Sequence, residues 1–205
     1  EDGSIDTEKT TTTVSEEGVL LVEDTITSVK ISKVDIADGK ELEGATIQLI
    51  DKETGEVVEE WTSTNEAHEV TGLTTGKTYI LRETVAPEGY SITSDTTFEL
   101  KEDGSIDTEK TTTTVSEEGV LLVEDTITSV KISKVDIADG KELEGATIQL
   151  IDKETGEVVE EWTSTNEAHE VTGLTTGKTY ILRETVAPEG YSITSDTTFE
   201  LKEDG

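Results

Sequence analysis

Residues 1–101 recur without a single change as residues 102–202, and Glu203-Asp204-Gly205 opens a third copy. A period of 101 residues is the length of one domain per copy, too long for solenoid units of about 20 to 50 residues. Whatever the first copy folds into, the second is equally able to form, so the chain predicts two domains of one kind in tandem.

Sixteen basic residues stand against 48 acidic ones, a formal charge of -32. That balance repels nucleic acid and anionic lipid, and predicts neither as a partner. With only 31% apolar residues, such a charge would ordinarily keep a chain disordered. The apolar residues alternate with polar ones at period two, however, which a solvated tail has no reason to keep. The alternation predicts strands at 29–35, 45–51, 56–62, 77–84, 96–101 and 120–125. Turn signals separate them at Asp38-Gly39, Thr54-Gly55, Thr75-Gly76, Pro87-Glu88-Gly89 and Asp103-Gly104. No segment carries a helical period, so the fold class expected is an all-β sandwich. There is no cysteine, hence no disulfide and no thiolate metal site. No apolar run approaches the length of about 18 residues that a membrane helix needs, and the absence of a signal peptide predicts an internal fragment.

Successive strand residues face opposite sides of a sheet, so parity assigns the inward set. Ala45, Ile47 and Leu49 share one face, as do Val57 and Trp61, and Phe98 and Leu100. The same parity places Lys33 with Val29 and Ile31, and Glu83 with Tyr79 and Leu81, so an ammonium and a carboxylate point into the core. The strand Val120-Leu121-Leu122-Val123-Glu124-Asp125 is apolar on both faces and leaves either Glu124 or Asp125 inward; Asp125, in phase with Leu121 and Val123, is the choice made here.

An isolated buried charge costs many kcal/mol, so such groups pair, change protonation state or react. Desolvation favours the uncharged forms, a nucleophilic amine beside carboxylic acids that it can attack. Attack of the Lys33 nitrogen on the Asp125 side-chain carbon, with Glu83 relaying protons, expels water and leaves an isopeptide bond. An unreacted Lys–Glu ion pair with Asp125 at the strand end is the alternative that parity leaves open.

The stretch Gly39-Lys-Glu-Leu42-Glu-Gly44-Ala45-Thr-Ile47-Gln-Leu49, after Lys33-Val-Asp35, resembles the opening of the collagen-adhesin B-type (Cna B-type) domains of Gram-positive surface proteins and pilins. Glu83-Thr-Val-Ala86-Pro87-Glu-Gly89-Tyr90 resembles the E-x-x-A-P-x-G-Y box of that family, whose glutamate assists isopeptide formation. The resemblance spans the whole repeat. It implies an Ig-like sandwich of the inverse, transthyretin-like kind, with the reactive lysine on the first strand at Lys33 and its Asn or Asp partner on the last at Asp125. In the second copy it implies the same roles for Lys134 and Glu184.

The resemblance also sets the phase. It puts a complete domain at 28–127, leaves 1–27 as the last-strand segment of a preceding repeat, with its own acceptor Asp24, and leaves 128–205 as a second sandwich without its last strand. Asp24 cannot serve Lys33 of its own chain, because the first and last strands of this family run parallel and a parallel pair needs a crossover of about a dozen residues or more. The chain therefore reads either as a window on a longer array or as a subunit whose 1–27 segment completes the second sandwich of another copy.

The expected function is a structural stalk or spacer of a bacterial surface adhesin or fibre, extracellular and anchored to the cell wall of a Gram-positive organism, stiffened by bonds that it forms itself. Neighbouring repeats are its expected partners. Two alternatives are a ligand-binding adhesin module for a matrix protein or glycan, and a covalently linked, strand-complemented fibre subunit. No enzyme is predicted: beyond the self-consuming Lys–Glu–Asp set there is no nucleophile–base pair, phosphate loop or metal cluster, and no cofactor. His68 and His169 read as solvated loop residues rather than ligands, and 35–39 as a β-turn rather than a calcium loop. Trp61, Tyr79 and Tyr90 could form a sugar platform, but parity places the first two in the core. The Thr-rich runs 10–13 and 111–114 could carry glycans or form an edge strand or linker.

Overall fold

The computed structural model describes residue 8 and residues 11–203. Thr10 of the Thr-rich run, and the first residues of the segment 1–27, lie outside the described residues. Every regular element among the described residues is a strand. They are β1 (Ser28–Asp35), β2 (Thr46–Asp51), β3 (Val57–Thr62), β4 (His68–Thr71), β5 (Thr78–Val85), β6 (Thr96–Glu99), β7 (Thr114–Val115), β8 (Leu121–Asp125), β9 (Ser129–Ile132), β10 (Thr147–Asp152), β11 (Val158–Thr163), β12 (His169–Thr172), β13 (Thr179–Val186) and β14 (Thr197–Glu200).

The first eight strands form two four-stranded sheets, β4-β1-β8-β7 and β3-β2-β5-β6. Their inner faces meet in one core, built by Val29, Ile31, Leu121 and Val123 from the first sheet and Ile47, Leu49, Tyr79, Leu81 and Phe98 from the second. This is the two-layer solution that period-two alternation demands, with each sheet hiding its apolar face against the other. All pairings are antiparallel except β1 with β8, which run parallel with Ile31 opposite Leu121 and Lys33 opposite Val123.

Strands β10 to β14 repeat the second sheet as β11-β10-β13-β14, but the first is reduced to the pair β12-β9. Strand β9 stops at Ile132, whereas its counterpart β1 runs on to Asp35. The difference is one of partners: β1 is held on both edges, β9 on one. Upstream of β1, a hairpin links Val14 to Leu20, with Ser15 N–H donating to the Val19 carbonyl at 2.9 Å. The Ser116 N–H donates likewise to Val120 at 2.9 Å in the β7–β8 hairpin.

One inward assignment is corrected. Val57 is exposed, although Trp61 on the same strand packs against the core. The β2–β3 register shifts between Leu49 and Ile50, so Leu49 pairs with Glu59 but Ile50 pairs with Val57. The extra residue, Val58, is a β-bulge, and one inserted residue turns everything beyond it to the other face. Strand β4 went unforeseen, while β7 takes up at Thr114 the edge-strand alternative for the run 111–114. Strand β4 buries only Val70 and β7 is two residues long, too little periodicity to read. His68, expected in a loop, opens β4, where its ring stacks on Trp61 at 4.3 Å between centroids and its Nε2 lies 2.7 Å from Glu59 Oε1.

Candidate functional site

Lys33, Glu83 and Asp125 meet between the sheets of the first sandwich, 2%, 5% and 1% exposed. Each is carried by a different strand, and each arrives by the alternation of its own apolar neighbours. Parallel pairing of β1 with β8 sets Lys33 opposite Val123, so that Asp125, two residues on, lies diagonally next to it on the same face. Glu83 comes from the facing sheet, where β5 pairs it with Ile47.

The Lys33 ammonium forms an ion pair and hydrogen bond with Asp125 Oδ1 and lies 3.0 Å from Glu83 Oε1. Glu83 is oriented by its other oxygen, since Oε2 accepts the Thr93 N–H at 2.8 Å. Asp125 Oδ2 is buried without a hydrogen-bond partner. Two carboxyls thus share one cation in a dry space. Burial pushes the Asp125 carboxyl up to about 7, against the pull of the Lys33 hydrogen bond and charge, and Glu83 adds to the rise. Near neutral pH a large share of Asp125 therefore holds a proton, and a protonated carboxyl, unlike a carboxylate, has a hydroxyl that can leave as water.

Glu124, the other acceptor that parity allowed, is half-buried and bonds Thr114 at the edge. Tyr90, suggested as part of a sugar platform, instead donates its hydroxyl to Asp35 Oδ2 at 2.8 Å, which raises its own pKa to about 12. That bond fastens the Pro87–Tyr90 turn to the end of β1. Thr93 was missed because its contribution is a backbone N–H, which leaves no mark in side-chain pattern.

In the second copy the set is incomplete. Lys134 Nζ lies 3.1 Å from Glu184 Oε1, with the lysine side chain 17% exposed and the glutamate 2%, and Glu184 Oε2 accepts the Thr194 N–H at 2.7 Å. No aspartate of a last strand joins them among the described residues. The other acceptor expected from the sequence, Asp24, is exposed upstream of β1, and the ion pairs of Lys33 and Lys134 are made to Glu83, Asp125 and Glu184 instead.

The SpaA prealbumin-like fold domain matches this chain twice, over residues 27–114 and 128–205. No curated protein matches the chain significantly. Among solved structures it is similar to the Bacillus anthracis TIE protein, at 26% identity and a TM-score of 0.45 over 89% of this chain and 32% of that one. A streptococcal ancillary pilin follows at 24% identity and a TM-score of 0.41, covering 89% of this chain and 60% of that one. The shaft pilin SpaA of Lactobacillus rhamnosus GG is 15% identical with a TM-score of 0.38, over 87% of this chain and 94% of that one. The chain thus spans 32% and 60% of the length of the first two. The doubled family match upholds the resemblance read from the two sequence boxes, and the chain belongs to the SpaA prealbumin-like fold domain family.

Proposed function

We propose that this chain is a stretch of extracellular, load-bearing stalk of a Gram-positive surface protein, in which the folding unit 28–127 seals itself with an isopeptide bond between Lys33 and Asp125. The observation that carries the reading is the burial of one amine and two carboxyls in mutual contact, an arrangement that is costly as charges and productive as reactants.

The reaction balances as follows. Glu83 takes a proton from the Lys33 ammonium, and the freed amine attacks Cγ of protonated Asp125. The C–N bond forms, the C–O bond to the hydroxyl breaks, and the hydroxyl leaves as water with a proton passed from the nitrogen through Glu83. Ammonium plus carboxylic acid yields amide, water and one proton, which stays on Glu83. Because the nucleophile is consumed, each domain reacts once.

The bond would close a loop of 92 residues, which by chain entropy stabilises by about 4 to 5 kcal/mol. That is comparable with much of the total stability of a domain, about 5 to 15 kcal/mol. It also suits a stalk mechanically. Tension entering at Ser28 would pass from Lys33 straight to Asp125 and out through Thr128, leaving the intervening strands unloaded. Intact mass measured under denaturing conditions tests the reading: the chain should be lighter than its sequence by one water, and Glu83→Ala should restore the full mass. A full mass in the unsubstituted chain overturns it.

A further inference from the structure

Asp125 is the last residue of β8, and a strand end frays unless something outside the ladder holds it. Its carboxyl must nonetheless keep one place between Lys33 and Glu83. The contacts that hold it come from a single segment, 83–93. That segment begins at Glu83, whose Oε2 accepts the Thr93 N–H at 2.8 Å, so the base itself closes it into a loop. Midway, the loop pairs with the chain leaving β8. Ser91 donates its N–H to the Thr126 carbonyl at 3.2 Å, Tyr90 bridges Ile127, and the Gly89 carbonyl accepts the Thr128 N–H at 2.9 Å. One loop therefore grips both the base and the strand that carries the acceptor.

The loop leaves β5, in the sheet that faces β1, so this grip sets Asp125 against Lys33 only if the loop is itself fixed to β1. One side chain does that. The Tyr90 hydroxyl donates to Asp35 Oδ2 at 2.8 Å. Asp35 is the register partner of Asp125 in the parallel pair, and the Ile36 N–H donates to the Asp125 carbonyl at 2.9 Å. Asp35 is steadied in turn, its Oδ1 accepting the Ala37 N–H at 2.7 Å. The second copy makes the same bond, from the Tyr191 hydroxyl to Asp136 Oδ2 at 2.7 Å, where β12 alone pairs with β9 among the described residues. The latch therefore does not depend on the strand that it holds.

We propose that Tyr90 is a positioning residue for the crosslinking reaction: its bond to Asp35 locks the loop 83–93 onto β1 and so fixes the approach of the Asp125 carboxyl to the Lys33 nitrogen. The inference rests on the crosslinking reading above. The Tyr90 hydroxyl is bonded to Asp35 and to neither reacting group, so it acts through the loop and the exit of β8. Attack is steep in distance, and a misplacement of about 1 Å can cost about a hundredfold in rate. Loss of the latch should therefore show in the rate of bond formation while the fold persists.

The test follows the loss of one water by denaturing mass spectrometry, in samples taken at intervals after cell-free synthesis of the 205-residue chain. The temperature is one at which circular dichroism shows every variant folded. Tyr90→Phe keeps the ring and loses only the hydroxyl, and Asp35→Ala removes the same bond from its other side. Each should lose water about ten- to a hundredfold more slowly, and the two changes together should be no slower than Asp35→Ala alone. Asp35→Asn keeps an oxygen for the Ala37 N–H and gains an amide N–H for the Tyr90 oxygen, and should react close to the unsubstituted rate. Tyr191→Phe should leave that rate unchanged. A folded Tyr90→Phe chain that loses water at the unsubstituted rate overturns the proposal, even if it melts at a lower temperature, because the latch is then structural alone. An unsubstituted chain that keeps its full mass overturns the crosslinking reading, and the proposal with it.

Discussion

Two lysines lie three residues apart on β1, and parity sends them to opposite fates: Lys30 faces solvent and Lys33 is shut in with two carboxyls. The chemistry of the site follows from that enclosure, because burial is the largest influence on Asp125 and opposes its charged form. A Lys33→Met chain isolates the effect. It cannot react, so the buried Asp125 carboxyl persists, with its folded pKa raised above the unfolded value of 3.8. The folded state then binds the extra proton, and stability that is full below about pH 4 is lost as the pH climbs through about 7 and beyond. In a chain that had formed the proposed bond, that carboxyl would be an amide and would no longer titrate. Melting temperatures taken from pH 4 to 8 should therefore fall more steeply for Lys33→Met than for the unsubstituted chain; parallel profiles would mean that Asp125 is not the group held protonated.

At the scale of the strand, identical sequence takes different roles according to whether a partner edge is at hand. Leu121 is fully buried on β8 while its twin Leu20 is exposed. Leu121→Ala should cost the first sandwich about 2 to 5 kcal/mol, the range for a large buried aliphatic cut to a methyl group. Leu20→Ala in the same chain should change folding stability by no more than about 0.5 kcal/mol. Denaturant titration of the two variants separates them, and equal losses would place residue 20 in a core of its own chain. Strand β3 shows the same dependence on partners, for its bulge turns Val57 outward while Trp61 stays in contact with the core.

In the whole molecule, the two sandwiches meet at Thr128 with almost no linker. Its N–H donates to the Gly89 carbonyl at 2.9 Å, and its hydroxyl to the Leu174 carbonyl at 2.6 Å. Gly89 has φ of +85°, and a Cβ placed on it would lie 3.0 Å from the Gly173 carbonyl oxygen. Gly190 has the same φ and open space around it. Both glycine-to-alanine changes force a side chain into the left-handed region, at about 1 to 2 kcal/mol, but only Gly89→Ala also drives the sandwiches apart. Small-angle scattering should show a longer or looser particle for Gly89→Ala and an unchanged one for Gly190→Ala. A second expectation concerns heat. The first sandwich, where β8 pairs with β1, should melt above the second, where β9 pairs with β12 alone among the described residues, so calorimetry on residues 1–205 should resolve two transitions. A single transition would mean that the joint couples the sandwiches into one cooperative unit.

Local alternation in the sequence was enough to determine that the chain is all-β, where most strands lie, and that Lys33 and Glu83 turn inward, because the side-chain period of a strand is a property of the backbone alone. The repeat determined that two equivalent folds are available. Whether Glu124 or Asp125 faces the lysine was not decided locally, since both faces of that strand are apolar; the parallel register of β1 against β8 decides it. The bulge at Val58 and the anchoring of Glu83 by a backbone N–H arise from pairing across a hairpin and a loop that side-chain periodicity does not record, and the close approach of Gly89 to Gly173 from a contact between residues distant in sequence. Tertiary structure decided these points because what a strand residue touches is set by the neighbour that pairs with its edge and not by the residues within its own strand.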